Sequence, residues 1–218
     1  MMNKQTVYDL KPEGKVVYIR VDYNVPHDKE GNILDDRRIR ATIPTIHYLL
    51  NQGAAIVLAS HMGRPKGEYK AELSLRPAAA RLAELLQKEV KFIPDCIGPE
   101  ADQAKEELKP GEIILLENLR FHKEEEKNDP DFAKALVKGC DLAVNDAFGV
   151  SHRTHASIVG VGRLLPMVSG LLLKKEIDFL DGVIEHPERP FAAIIGGAKI
   201  SDKIQVIANL MEKADVIL

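Results

Sequence analysis

Cationic side chains collect at several points of this sequence, most of them just after a short apolar run. RVDYNVP (Arg20–Pro26) sets a carboxylate, Asp22, and an amide, Asn24, two residues apart, so both project the same way from an extended backbone. The pair suits the hydroxyl and carboxylate of a small polar ligand, and an ordinary turn uses Asp and Asn equally well. SHMGRP (Ser60–Pro65) offers His61 and Arg64 around Gly63, whose missing side chain permits close approach. ENLRF adds Arg120, and NDAFGVSHRTHAS adds Arg153. DDRRIRATIPTI (Asp35–Ile46) opens a helical pattern with three arginines, of which Arg38 directly precedes the apolar stripe. A cationic first turn opposes the helix dipole and costs stability unless an anion is near. Guanidinium groups meet phosphate and carboxylate oxygens two at a time. Gathered on one rim, these residues would take a small, multiply charged anion.

A further cluster lies near the end of the chain. In IIGGAKISDK a strand-like run meets Gly196 and Gly197, which allow a close phosphate approach, and then a helical pattern whose N-terminus favours anions. Lys199 and Lys203 are one helical turn apart and can reach one phosphate chain. Neither GxxxxGK[ST] nor GxGxxG is present, so GGAK alone is a weak nucleotide signal. His152 and His155 flank Arg153, but no nearby carboxylate or cysteine completes a metal set, and no metal site is expected. The acidic run in KEEEK reads as a solvated face. Cys96 and Cys140 lie far apart without CxxC or Cys/His metal spacing and read as reduced thiols.

The elements that must position these residues alternate along the chain. Strand-like runs are Lys15–Val21, Ala54–Ala59, Val90–Ile93, Glu112–Leu116, Asp141–Asn145, Phe191–Ile195 and Asp215–Leu218. Most are apolar on both alternating faces, as strands of a parallel sheet covered on both sides should be. Between them, helical stripes recur: Ile39, Ile43, Ile46, Leu50; Leu75, Ala79, Leu82, Leu86; Leu173, Ile177, Leu180, Ile184; and Ile200, Ile204, Ile207, Met211. All four stripes read as core. The order predicts an α/β fold, a doubly wound, Rossmann-like parallel sheet with helices on both faces, followed by the truncated start of a second α/β domain. Such folds bind ligands at the carboxyl ends of their strands, where Asp22, Ser60, His61, Glu117, Asn118, Arg120 and Asp146 fall. The expected divisions are a first domain over 1–168, a connecting helix over 169–186, and an incomplete second domain over 187–218. The last apolar strand has nothing to cover it, which makes the chain look truncated.

Bulk properties exclude several classes. The chain has 218 residues, 45% hydrophobic and 29% charged, with a net charge of −3. That balance argues against a nucleic-acid surface, so any anion site must be a local concentration of cations. The first residues lack the apolar stretch of a secretory signal, and no run approaches the roughly 20 apolar residues of a membrane span. A soluble, cytoplasmic protein is expected.

Taken as a set, RVDYNVP, DDRRIRAxxPTI, ASHMGRP, LLENLRF, NDAFGVSHRTHAS and IIGGAKISDKI resemble the signatures of the phosphoglycerate kinases, in that family's order and over the whole chain. The resemblance implies two hinged Rossmann-like domains and reversible phosphoryl transfer between 1,3-bisphosphoglycerate and ADP, giving 3-phosphoglycerate and ATP, with Mg2+, in glycolysis. It implies that Asp22 and Asn24 contact the glycerate end with Arg38 beside them, and that His61, Arg64, Arg120 and Arg153 hold the 3-phosphate. Arg38 and Lys199 would be catalytic, acting on the moving phosphoryl group, and Gly196, Gly197, Lys199 and Lys203 would serve the nucleotide. A monomer is implied. The family runs to about 400 residues by this resemblance, so most ATP and metal contacts would lie outside the sequence. These 218 residues are then expected to hold 3-phosphoglycerate weakly, to be catalytically incomplete, and to expose an apolar patch. A second reading is a non-catalytic anion-binding N-domain.

Overall fold

The structure, a computed structural model, describes residues 5–28, 31–185, 187–197 and 204–218. Six short apolar runs form one parallel sheet: β1 (Val16–Arg20), β2 (Ala55–Ala59), β3 (Lys91–Ile93), β4 (Ile113–Leu116), β5 (Leu142–Asn145) and β6 (Met167–Ser169). Their order across the sheet is β3-β4-β2-β1-β5-β6. From β1 the chain goes to β2, out to the edge strand β3 and back to β4, then crosses to β5 and β6 on the other side of β1, and that change of side opens a crevice at the carboxyl edge.

Helices connect the strands: α1 (Arg37–Asn51), α2 (Arg76–Leu86), α3 (Pro99–Glu106), the one-turn α4 (Lys123–Glu126), α5 (Pro130–Leu136), α6 (Val161–Leu164) and α7 (Leu171–Glu185). Alternate strand residues enter two separate cores. Val17, Ile19, Ile56 and Leu58 pack with Ile39, Ile46 and Leu49 of α1 and with Ala79 and Leu82 of α2. Tyr18, Val57 and Ala59 pack on the other face with Ala101 of α3 and with Phe132 and Leu136 of α5. Period-two alternation between two covered faces is why these runs show no polar side. Each fully buried aliphatic side chain contributes about 1.5–3 kcal/mol by leaving water. Gly53, at φ +78°, ends the turn after α1, a left-handed position that glycine fills without strain.

Register decides where the functional side chains go. Arg20, the last residue of β1, pairs with Ala59 of β2 and Asn145 of β5, and Leu58 pairs with Leu115 of β4. The carboxyl ends of β1, β2, β4 and β5 are therefore nearly level, and the loops that follow them leave the same edge.

The chain divides into two compact units, the first running to Lys174 and the second from Lys175 to Leu218. In the second, β7 (Ala192–Ala193) and β8 (Val216–Ile217) pair in parallel, and α8 (Ile204–Met211) precedes β8. Here two expectations fail. Leu180, Ile184, Ile204 and Met211, read as core, are exposed, the last two to 61% and 70%. Among the described residues of this unit, Ala193 is the one buried hydrophobic. A pair of two-residue strands has too little surface to cover an apolar helix face. Ile200, with Lys199 and Lys203, lies outside the described residues. No helix of the described residues is long and apolar enough to cross a membrane.

Candidate anion-binding basin

The loops that leave the level strand ends are tied together by their own polar groups. Asp22, two residues past β1, accepts a hydrogen bond from Arg38 Nη1 at 2.6 Å. Gly149, in the loop after β5, passes so close that a Cβ there would lie 3.1 Å from Asp22 Oδ2. Asn24 accepts the Gly63 N–H at 2.9 Å, and the Gly63 carbonyl accepts Arg120 Nη1 at 2.7 Å. One glycine thus joins the loops after β1, β2 and β4. Its φ of +60° favours glycine, and an added Cβ would crowd the tip of the Leu73 side chain, 2.8 Å away.

Below this rim lies a buried polar layer. Arg20 is fully buried and donates through Nε to Ser157 Oγ at 2.9 Å, while Nη1 donates to the Val21 carbonyl. Its Nη2 lies 3.1 Å from His61 Nδ1. A guanidinium can only donate, so His61 Nδ1 accepts and the ring proton sits on Nε2. Burial, and then the charges of Arg20 and Arg120, hold the His61 pKa far below the ordinary histidine value. The ring therefore stays neutral, with Nε2–H as its donor. Arg153 lies within electrostatic reach of both His61 and Arg120. Arg120 Nε and Arg153 Nε are buried without a hydrogen-bond acceptor among the described residues, though Glu126 lies 3.4 Å from Arg120 Nε. Two guanidinium donors lacking acceptors at one rim are what an anion would satisfy.

Each expected residue can now be located. Asp22 and Arg38 form one pair; Asn24, Gly63 and Arg120 form one chain; His61 and Arg153 share the cationic cluster. Arg64 is exposed on the His61 loop and donates to none of the described residues. The other helix-opening arginines are neutralised nearby: Arg37 by Asp35 at 2.5 Å, and Arg40 by Asp36 at 2.8 Å. Those carboxylates offset the dipole cost that three arginines impose. Gly196 and Gly197 lie exposed after β7, Gly197 at φ +134°.

Several strand-end residues brace the loops. Glu117 accepts the Leu75 N–H at 2.8 Å and the Ser74 hydroxyl at 2.6 Å, placing a carboxylate at the start of α2. Asn118 donates to the Met62 and Leu73 carbonyls. Asp146 is buried beside the start of α7, where its Oδ1 accepts the Leu173 N–H at 3.0 Å, and burial raises its pKa.

The acidic run of KEEEK departs from expectation. Glu125 is fully buried, its carboxylate bonded to Ser157 and 3.5 Å from His155 Nδ1. Charge density along the chain cannot show that one residue of a run turns inward. Arg20 and Ser157 also escaped the reading from sequence. A charged residue closing an otherwise apolar strand was the available signal for Arg20. Folding further brings Cys96 to Asp95 and His122, with possible ligand atoms within 4.8 Å of one another. His122 Nε2 is already 2.7 Å from Asp95 Oδ1, and burial pushes the Cys96 thiol well up. The trio is a hydrogen-bonded brace around a protonated thiol.

A family model described as phosphoglycerate kinase matches residues 7–218. A phosphoglycerate kinase of Desulforudis audaxviator is 55% identical over 217 residues, covering 100% of this chain and 55% of that protein. A chloroplastic phosphoglycerate kinase of Volvox carteri is 57% identical, covering 99% of this chain and 48% of that protein. The solved phosphoglycerate kinase of Pyrococcus horikoshii superposes with a TM-score of 0.86 at 38% identity, covering 97% of this chain and 54% of its own. That of Coxiella burnetii gives 0.84 at 36%, covering 98% and 54%. The chain spans about half the length of the curated relatives it matches.

Proposed function

The chain belongs to the phosphoglycerate kinase family, and from that premise we propose that its basin binds 3-phosphoglycerate as the acid-binding half of a reversible phosphoryl transfer. The complete reaction moves a phosphoryl group between 1,3-bisphosphoglycerate and ADP, giving 3-phosphoglycerate and ATP. One observation carries the reading. Asp22, Asn24, His61, Arg64, Arg120 and Arg153 leave a single edge of the sheet, with Arg38 bonded to Asp22. His61, Arg64, Arg120 and Arg153 hold the 3-phosphate. Asp22 and Asn24 meet the glycerate end: Asn24 spends its carbonyl on Gly63, which keeps its amide N–H donors for the ligand.

Phosphoryl transfer through a loose transition state asks for alignment and charge stabilisation more than covalent chemistry. Arg38, held by Asp22, supplies one cation to the moving group, and Lys199 supplies another. Gly196, Gly197 and Lys203 serve the nucleotide phosphates. Magnesium accompanies ATP and ADP in this reading. The basin does not fit that ion: of its carboxylates, Asp22 is paired with Arg38 and Asp146 is buried with a raised pKa. A cytoplasmic monomer that binds no nucleic acid completes the proposal.

Calorimetry on the 218-residue chain tests it. Titration with 3-phosphoglycerate should give saturable heat that Arg38→Ala and Arg64→Ala diminish, with unphosphorylated glycerate binding far more weakly. No heat at millimolar 3-phosphoglycerate would sink the reading.

A further inference from the structure

Under a basin suited to anions sits a carboxylate that repels them. Glu125, in the single turn of α4, is fully buried and lies close enough to Arg20 for their charges to interact. A negative charge beneath a phosphate site weakens phosphate binding by Coulomb repulsion, and more so away from water. Its retention there calls for another role, and its bonds supply one.

Both Glu125 oxygens are committed. Oε2 accepts the Ser157 N–H at 2.9 Å, and Oε1 accepts the Ser157 hydroxyl at 2.5 Å. A hydroxyl has one hydrogen. With that hydrogen given to Glu125, Ser157 Oγ can only accept, and it accepts Arg20 Nε–H at 2.9 Å. Arg20 Nη2 then donates to His61 Nδ1 at 3.1 Å, which leaves the ring proton on Nε2. Arg20 can only donate, so the one direction left to set is that of the Ser157 hydroxyl, and the ionised Glu125 sets it, leaving Oγ as the acceptor for Arg20 Nε. Burial acts to raise the Glu125 pKa, but the nearby His155 ring, the charge of Arg20 and the hydrogen bonds from Ser157 outweigh burial and keep it low.

We infer that Glu125 is a positioning residue of the basin: through the Ser157 hydroxyl it fixes Arg20, and through Arg20 it fixes the His61 ring and its donor. Glu125 touches no ligand in this arrangement. The inference rests on the proposed binding of 3-phosphoglycerate for its ligand, and on the buried bonds alone for its mechanism.

The sign of one substitution separates positioning from charge. Glu125→Gln removes the repulsion, so a purely electrostatic role predicts tighter anion binding. Positioning predicts the opposite, a loss of about tenfold in affinity for 3-phosphoglycerate on the 218-residue chain, the scale of one well-aimed hydrogen bond. Ser157→Ala, which changes no charge, should cost a similar factor. The double variant should bind no worse than the weaker single, because both cut one chain. A ligand-free arm follows solvent exchange of the Arg20 Nε–H by NMR: slow in the wild type and faster in both variants. Unchanged or tighter binding with slow exchange in Glu125→Gln would overturn the inference, as would additive losses. If the wild type binds no 3-phosphoglycerate but exchange accelerates in both variants, the ligand assignment fails and the positioning of Arg20 stands. Should Glu125→Gln fail to fold, Ser157→Ala decides by the same two readouts.

Discussion

Arg38 Nη1 rests 2.6 Å from Asp22 Oδ2, a half-exposed guanidinium held by a largely covered carboxylate. The contact joins the first turn of α1 to the loop after β1. It narrows the positions open to a long side chain and leaves the remaining N–H groups available.

On the phosphoryl-transfer role proposed for Arg38, Arg38→Ala in a full-length enzyme should lower turnover by roughly 10²–10⁴-fold, the scale of a lost transition-state donor. Steady-state kinetics with saturating nucleotide checks this. Near-normal turnover would remove Arg38 from the mechanism. Asp22→Asn should change stability by less than about 1 kcal/mol, because a partly exposed ion pair contributes little.

Gly63→Ala should destabilise the first unit. An added Cβ would lie 2.8 Å from Leu73 Cδ2, at a φ of +60°. Strain and crowding together cost about 1–3 kcal/mol. Urea unfolding should show the loss, and calorimetry should show weaker anion binding as the bonds to Asn24 and Arg120 shift.

Acid should weaken the fold partly through His61. Burial and neighbouring cations keep its folded pKa far below the ordinary value, whereas the unfolded ring takes up a proton near pH 6.5. The unfolded state then binds more protons, so this contribution is complete above about pH 6.5 and declines by about 1.4 kcal/mol per pH unit below it. His61→Gln should show a shallower fall in stability between neutral and acid pH than the wild type. Parallel slopes would refute the assignment.

Lys105 is fully buried and donates to the Ala135 and Leu136 carbonyls at 3.1 and 3.3 Å, closing the end of α5. Asp102 lies 3.5 Å away. Lys105→Met keeps the volume and removes the donor, so stability should fall by about 1–3 kcal/mol for the stranded carbonyls. Equilibrium unfolding measures it, and a neutral result would show that water replaces the ammonium.

The sheet was legible because parallel strands buried on both faces are continuous apolar runs, and β1 to β5 fall within a residue or so of the runs read from sequence. β6 was not legible. Met167–Ser169 follows Pro166 and has no β-branched run; its strand form comes from pairing with β5. In the basin, Asp22, Asn24, His61 and Arg120 announced themselves by following apolar strands. Glu125 did not, since its burial depends on Ser157, 32 residues away. Helical periodicity shows that Ile204 and Met211 share a face, but not whether anything lies against it.

One bond has a consequence for how the chain is made. The Val16 N–H donates to the Asp141 carboxylate across 125 residues, beside the strand pair β1 and β5. A ribosome releasing the chain from its N-terminus delivers β1 long before its partner. Until β5 emerges, one flank of the innermost strand is an open edge, sticky toward other nascent chains. The same wiring that makes the sheet converge on one rim also leaves β1 exposed to aggregation for the whole interval between its own synthesis and that of β5.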